Sequence, residues 1–120
     1  RRMEAVSQPW NVSVPAQAAG IAAVKEIAFA EKSRALIAEQ KAYLLEGLRK
    51  AGVEVFGFAA NYIFFRAEAG LEKAMREAGF LIRDCGNFDG LTEGYYRIAV
   101  RGREENEKFL NTLNRVLGKM

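Results

Sequence analysis

The chain has 120 residues, of which 50% are hydrophobic and 28% are charged. This length and composition are typical of one packed globular domain and argue against a disordered chain. Histidine is absent and cysteine occurs once, at Cys85. These counts exclude a Ser-His-Asp or Cys-His catalytic apparatus within the chain, a zinc site built from His and Cys, and an internal disulfide.

The charges are nearly balanced and carry both signs throughout the sequence. Lysine and arginine number 18, aspartate and glutamate 15, and the net charge is +3. No single-sign tract predicts nucleic-acid binding, and no apolar run approaches the roughly 20 residues of a membrane span. The first residues lack the order of a signal peptide, and a lone thiol suits a reducing compartment. We therefore expect a cytoplasmic protein with neither a nucleic-acid nor a membrane partner.

Helices are predicted before the sheet. Ser13 is a good N-cap for a helix that has Pro15 in its first turn. The sequence from 16 to about 49 is alanine-rich, carries interspersed charges and has few helix breakers. Because thirty-odd residues is long for one globular helix, we expect a break near 26–30, and Gly52 ends the segment.

Beyond Gly52 the pattern changes to short strands and helices. We predict, in order, a strand over 53–56, a turn over 57–61, a strand over 62–66, a helix over 71–78, a strand over 80–83, a loop over 84–94, a strand over 95–101 and a final helix. On the last strand, alternation puts Tyr96, Ile98 and Val100 on one face and Arg97 on the other. This order predicts an α+β fold, with long N-terminal helices followed by a small, mainly antiparallel sheet that has helices packed on one face.

Arg83 and Arg97 are the first candidates for a binding site, because both fall on predicted strands. A guanidinium group presents a planar fork of donors that matches carboxylate and phosphate, and a strand fixes where that fork points. The alternative is that each arginine faces solvent or pairs with Asp84, Asp89 or Glu93.

Other residues could bind a ligand or react, but each also has a purely structural interpretation. The glycines of the 84–94 loop would let it bend around a small ligand, or they mark an ordinary connector. Cys85, beside Asp84 and with no histidine to activate it, is expected to be buried and unreactive. Trp10 either stacks on a ligand or anchors the loop, and the aromatic run Tyr62, Phe64 and Phe65 is expected in the core.

Four blocks of sequence resemble one family when they are taken together. They are QPWNVSVPAQAA (8–19), ANYIF (60–64), LIRDCGNF (81–88), and YRIAVR (96–101) followed by REEN (103–106). In this order and spacing the chain is similar, over nearly its whole length, to the class I/II (fold type I) pyridoxal-phosphate-dependent aminotransferases. The similarity is to the branch that contains the histidinol-phosphate aminotransferases and the threonine-phosphate decarboxylases.

The resemblance implies that the chain is the C-terminal small domain of such an enzyme with its connecting helices. It would be a single domain over 1–120, with an entry loop over 1–14, connecting helices over 15–51 and the α+β part over 52–120. In this family the cofactor lysine lies in the large domain, so the resemblance implies no catalytic, cofactor-binding or metal-binding residue here. Arg97 matches the arginine that holds the substrate carboxylate, and Arg83 matches the arginine that contacts the substrate phosphate.

The blocks PWNV, NFDGL and GYYRIAVR are more similar to the threonine-phosphate decarboxylases of cobalamin synthesis than to the histidinol-phosphate aminotransferases. The resemblance therefore implies a domain that binds a phosphorylated amino acid or amino alcohol and is inactive alone. Its implied cofactor is pyridoxal 5'-phosphate. Its implied partners are the amino-acid-type substrate, the large domain of the same polypeptide and a second subunit in a homodimer. The alternative is a stand-alone α+β ligand-binding or regulatory domain with no pyridoxal phosphate chemistry.

Overall fold

Two compact units divide the chain, Arg1–Ser33 and Arg34–Met120. The computed structural model describes residues 12–120. The prediction for Trp10 and most of the predicted entry loop lie outside the described residues. Within them, no helix combines the length and the apolar character that crossing a membrane requires.

The first unit contains helix α1, Val14–Ala23, and the start of helix α2, Ile27–Lys50. Ser13 caps α1 as predicted, because its hydroxyl accepts a hydrogen bond from the backbone N–H of Ala16 at 3.3 Å. The break between the helices lies at 24–26, whereas 26–30 was predicted. Backbone N–H groups at 25 and 26 donate to carbonyls three residues back, which tightens the end of α1 before α2 starts.

The second unit is an antiparallel sheet with helices, as the sequence predicted. The strands lie in the order β1-β2-β4-β3. They are β1 Glu54–Ala59, β2 Tyr62–Arg66, β3 Arg83–Asp84 and β4 Tyr95–Ala99. In the chain, helix α3 Leu71–Glu77 lies between β2 and β3, and helix α4 Arg103–Leu117 follows β4.

One face of the sheet forms the core with the helices of the second unit. Alternation along each strand selects the inward residues. In β2 these are Ile63 and Phe65, and in β4 they are Tyr96 and Ile98, all of them buried. The helices contribute buried apolar side chains from α2, α3 and α4, including Leu44, Leu48, Leu71, Met75, Phe109, Leu110 and Leu113. The predicted inward face of β4 is confirmed, and Arg97 projects from the opposite face.

The first hairpin corrects the predicted turn over 57–61. Strand β1 continues to Ala59, and only Ala60 and Asn61 connect it to β2. The glycine that suggested a turn, Gly57, lies inside β1, where the register shifts between Val55 and Gly57 as in a β-bulge. Ala60 takes the positive φ of 47° in the turn.

The predicted strands over 80–83 and 95–101 are both shorter than expected. The segment before β3 remains attached to α3, because Phe80 donates its N–H to the Met75 carbonyl at 2.8 Å and packs its ring against Phe109. Only Arg83–Asp84 then pairs with β4. Strand β4 ends at Ala99, since the backbone of Arg101 is bonded to the Asn106 side chain instead of to a neighbouring strand.

Candidate functional site

The two candidate arginines lie directly opposite each other on neighbouring strands. Arg83 of β3 pairs in register with Arg97 of β4, and Phe64 of β2 pairs with Arg97 on its other side. Directly opposite residues of antiparallel strands project to the same face with Cβ atoms about 4.5–5.5 Å apart. Strand pairing therefore brings both guanidinium groups to the outer face of the sheet, away from the core.

The Arg97 side chain is half-buried and lies against an aromatic ring. Its guanidinium carbon is 4.4 Å from the centroid of the Tyr62 ring. The salt bridges found among residues 12–120 join side chains four positions apart on the chain, and neither Arg83 nor Arg97 takes part in one. The alternative, an ion pair of either arginine with Asp84, Asp89 or Glu93, is therefore not formed among residues 12–120.

Arg83 is exposed, and the loop that follows it folds back on its side chain. Its Nη2 donates to Oδ1 of Asn87 at 3.4 Å, and its guanidinium carbon lies 5.6 Å from the Phe88 ring centroid. Sequence reasoning did not assign Asn87 or Phe88 to the site. The available signal was the spacing, because a polar and an aromatic side chain four and five positions after an arginine can return to it across a tight loop.

Backbone hydrogen bonds order this loop between β3 and β4. The N–H of Gly86 donates to the Asp84 carboxylate at 2.9 Å, and the N–H of Cys85 donates to the Tyr95 carbonyl at 2.8 Å. Gly94 has a φ of 93°, and a Cβ added there would lie 2.8 Å from the carbonyl oxygen of Ala67. The loop is thus a turn-rich connector that also contacts a candidate anion-binding residue.

Cys85 is buried, as expected, and lies close enough to the two arginines for their charges to act on its thiol. Burial is the main cause that raises the pKa of its thiol, while the positive charges of Arg97 and Arg83 act in the opposite direction. A thiol with a raised pKa is mostly protonated at neutral pH and is a poor nucleophile. Cys85 therefore contributes packing at this position.

The aromatic run predicted for the core is divided between the two faces of the sheet. Phe65 is buried, but Tyr62 is 41% exposed on the outer face. Phe64 also lies on the outer face, stacked on Tyr95 with ring centroids 5.7 Å apart. The guanidinium of Arg66 lies 5.4 Å from the Tyr95 ring centroid. The outer face thus combines arginines, which bind carboxylate and phosphate groups, with aromatic rings that attract the guanidinium groups themselves.

The sequence itself is similar to known enzymes over almost its full length. The family model described as aminotransferase class I and II matches residues 1–113. The chain belongs to the class I and II aminotransferase family. Its members depend on pyridoxal phosphate. This membership argues against the alternative of a stand-alone domain unrelated to that chemistry.

Two curated family members illustrate how much of an aminotransferase the chain represents. The histidinol-phosphate aminotransferase of Symbiobacterium thermophilum is 35% identical over 113 residues, covering 92% of this chain and 31% of that protein. The threonine-phosphate decarboxylase of Salmonella typhimurium is 32% identical over 120 residues, covering 97% of this chain and 33% of that protein. The chain therefore spans about a third of the length of these relatives.

Solved structures of family members have the same fold. The histidinol-phosphate aminotransferase of Clostridium acetobutylicum superposes with a TM-score of 0.91 at 30% identity, over 99% of this chain and 37% of that one. The L-threonine-O-3-phosphate decarboxylase of Porphyromonas gingivalis gives a TM-score of 0.79 at 30% identity, over 98% of this chain and 38% of that one. The α+β fold is thus that of the corresponding third of these aminotransferase-family proteins.

The lysines among residues 12–120 do not fit covalent attachment of pyridoxal phosphate. A lysine that attacks a carbonyl needs a neutral amine, which burial or a nearby cation provides by lowering its pKa. Lys50 and Lys108 instead donate to Glu46 and Glu104, each at 2.6 Å, and these ion pairs raise the pKa of both lysines. Lys41 donates to the Ala60 carbonyl. The others are exposed, namely Lys25, Lys32, Lys73 and Lys119. These lysines therefore do not serve as the attachment point of the cofactor.

Proposed function

We propose that this chain is the substrate-binding C-terminal part of a longer pyridoxal-phosphate-dependent enzyme. Its substrate would be a phosphorylated amino acid or amino alcohol. The proposal is supported by family membership and by the fraction of its relatives that the chain covers, about a third. In this proposal residues 1–14 are an entry loop, 15–51 are connecting helices and 52–120 are the small domain. The cofactor is held by the large domain of the same polypeptide, which works as a homodimer.

The observation that carries the proposal is the pairing of Arg83 with Arg97 across β3 and β4. Like charges directly opposite on antiparallel strands destabilise a sheet. Neither arginine has a carboxylate partner among residues 12–120. Two guanidinium groups on one face without a carboxylate partner in this range are explained if a ligand with two anionic groups binds there. A phosphorylated amino acid carries both a carboxylate and a phosphate, whereas a phosphorylated amino alcohol carries only the phosphate.

The two arginines divide this ligand between them. Arg97, half-buried in the middle of the outer face, binds the carboxylate through its planar fork of donors. Arg83, exposed at the edge strand and supported by Asn87, binds the phosphate. Gripping a substrate at two points fixes its rotation as well as its position, so these residues bind and orient, and they transfer no proton.

The preferred reaction is the decarboxylation of a threonine phosphate. The blocks PWNV, NFDGL and GYYRIAVR support it. Amino transfer from histidinol phosphate is the second candidate. It is favoured by the higher TM-score of the aminotransferase structure, 0.91 against 0.79. Both reactions use a phosphorylated substrate, so the phosphate-binding role of Arg83 is common to them.

The experiment uses the full-length polypeptide loaded with pyridoxal phosphate. One assay measures carbon dioxide release from O-phospho-L-threonine, and a second measures amino transfer from histidinol phosphate to a 2-oxo acid. Carbon dioxide release is the result that we expect. Amino transfer without carbon dioxide release would support the second candidate, and the absence of both activities would contradict the proposal.

A further inference from the structure

We propose that Tyr62 is a positioning residue for Arg97, because its ring holds the guanidinium in the plane that grips the substrate carboxylate. This inference rests on the function proposed above. The guanidinium carbon of Arg97 lies 4.4 Å from the Tyr62 ring centroid. That distance is well inside the roughly 6 Å at which a cation is attracted by the face of an aromatic ring.

The register of the sheet explains how the two side chains meet. Tyr62 pairs with Ala99, and Phe64 pairs with Arg97. Tyr62 is therefore the diagonal neighbour of Arg97 on the outer face, a spacing that long and aromatic side chains can bridge. The Arg97 side chain bridges this spacing and places its guanidinium at the Tyr62 ring.

The backbone under the Tyr62 ring is held on both sides of the hairpin turn. The N–H of Val100 donates to the Asn61 carbonyl at 2.7 Å, and the ammonium group of Lys41 donates to the Ala60 carbonyl. These bonds fix the start of β2, where Tyr62 stands. Because the ring is 41% exposed, core packing does not explain its position.

A ring contact suits a carboxylate-binding arginine better than an ion pair would. A ring that attracts a guanidinium through its π face accepts no hydrogen bond at the N–H edge, so the planar fork of donors stays available to a carboxylate. A protein carboxylate would occupy those same donors. Holding the long side chain before the substrate arrives also lowers the entropy that binding must overcome.

The test compares Tyr62→Leu, which removes the aromatic face, with Tyr62→Phe, which keeps it. In the full-length enzyme we expect Tyr62→Leu to lower kcat/KM about two- to fivefold, mainly through KM, as the loss of one such contact predicts. Tyr62→Phe should retain the wild-type value. The matched control is Phe58→Leu, which removes another exposed ring, 55% exposed and near Lys41. It should leave kcat/KM unchanged.

A double-mutant cycle separates positioning from general support of the fold. In an Arg97→Ala background, Tyr62→Leu should cause no further loss, because the residue on which it acts is gone. The same loss in both backgrounds would overturn the inference, as would a loss in Tyr62→Phe equal to that in Tyr62→Leu. If Tyr62→Leu does not fold, Tyr62→Thr, a good strand former, replaces it. An Arg97→Ala enzyme with wild-type kcat/KM would instead contradict the proposed function itself.

Discussion

The amide of Asn106 donates to the side-chain carbonyl of Gln40 at 3.2 Å and so joins helix α4 to helix α2. Both side chains are 2% exposed. Asn106 also accepts from the N–H of Arg101 at 3.1 Å and donates to the carbonyl of Arg101 at 2.8 Å. One buried side chain thus fixes the backbone just beyond β4, at Arg101, four residues after Arg97.

We expect Asn106→Ala to lower the free energy of unfolding by about 2–3 kcal/mol, because it removes the partner of the buried Gln40 side-chain carbonyl and of the Arg101 backbone N–H and carbonyl. Urea denaturation of the 120-residue chain measures this change. Asn111→Ala, at an exposed position of α4, is the matched control and should change stability by less than about 0.5 kcal/mol. Equal losses in the two variants would contradict the role of Asn106.

The close approach of α2 and α4 predicts opposite effects for the same substitution at two helical glycines. A Cβ added at Gly47 would overlap both methyl groups of the buried Leu110, with Cδ2 only 2.7 Å away, whereas one added at Gly20 in α1 meets nothing within 4 Å. Gly47→Ala should therefore destabilise the chain by about 1–3 kcal/mol through overpacking. Gly20→Ala should stabilise it by about 0.5–1 kcal/mol through helix propensity. Thermal and urea unfolding measure the direction of each stability change. Stabilisation by Gly47→Ala would show that α4 does not pack against α2 at Gly47.

The buried hydroxyl of Tyr96 predicts a loss of stability in alkali. It accepts from the N–H of Leu71 at 3.2 Å and lies 2.9 Å from the Glu68 carbonyl oxygen. Burial is the main cause that raises the pKa of Tyr96 to about 12 from 10. Between these values the folded chain keeps a proton that the unfolded chain has lost, so stability is full below pH 10 and falls as the pH approaches 12.

Tyr96→Phe removes this titration and is the natural comparison. Above pH 10 the free energy of unfolding of the wild type should fall relative to that of Tyr96→Phe, by up to about 1.4 kcal/mol per pH unit. Urea titrations at pH 9, 10 and 11 measure it. A difference that stays constant with pH would contradict the burial of a protonated hydroxyl.

The 120-residue chain alone should have neither decarboxylase nor aminotransferase activity. It should also not bind pyridoxal phosphate covalently at one specific site, because the described lysines are ion-paired, bonded to a carbonyl or exposed. Absorbance titration with the cofactor, repeated after Lys→Arg substitutions one at a time, measures this. A saturable absorbance band that disappears with one substitution would contradict the expectation.

Local sequence patterns predicted the elements that depend on neighbouring residues alone. The alternation of Tyr96, Ile98 and Val100 selected the inner face of β4, and the capping hydroxyl of Ser13 marked the start of α1. The predicted strand over 80–83 was largely wrong because Phe80 packs against Phe109 of a distant helix. The turn over 57–61 was wrong because Gly57 marks a bulge inside a strand, which a single sequence does not distinguish from a turn.

The candidate site was only partly predictable for a related reason. Arg83 and Arg97 could be chosen from residue type and from the resemblance, but their direct opposition depends on the register between two strands separated by a loop. That register has no local signal in the sequence. The contact of Arg97 with Tyr62 depends in the same way on the register between β2 and β4. The contact of Arg83 with Asn87 is local, and it depends on how the loop after β3 folds back.

The most direct test of the account is the kcat/KM of full-length Arg83→Ala and Arg97→Ala enzymes on O-phospho-L-threonine and on L-threonine. A charge-assisted bond contributes about 1.5–3 kcal/mol, so Arg83→Ala should lose roughly ten- to a hundredfold on the phosphorylated substrate and little on L-threonine. Arg97→Ala should lose on both substrates, with a higher KM and a lower kcat, and Arg97→Lys should recover only part. Equal losses of Arg83→Ala on the two substrates would contradict the proposed phosphate-binding role.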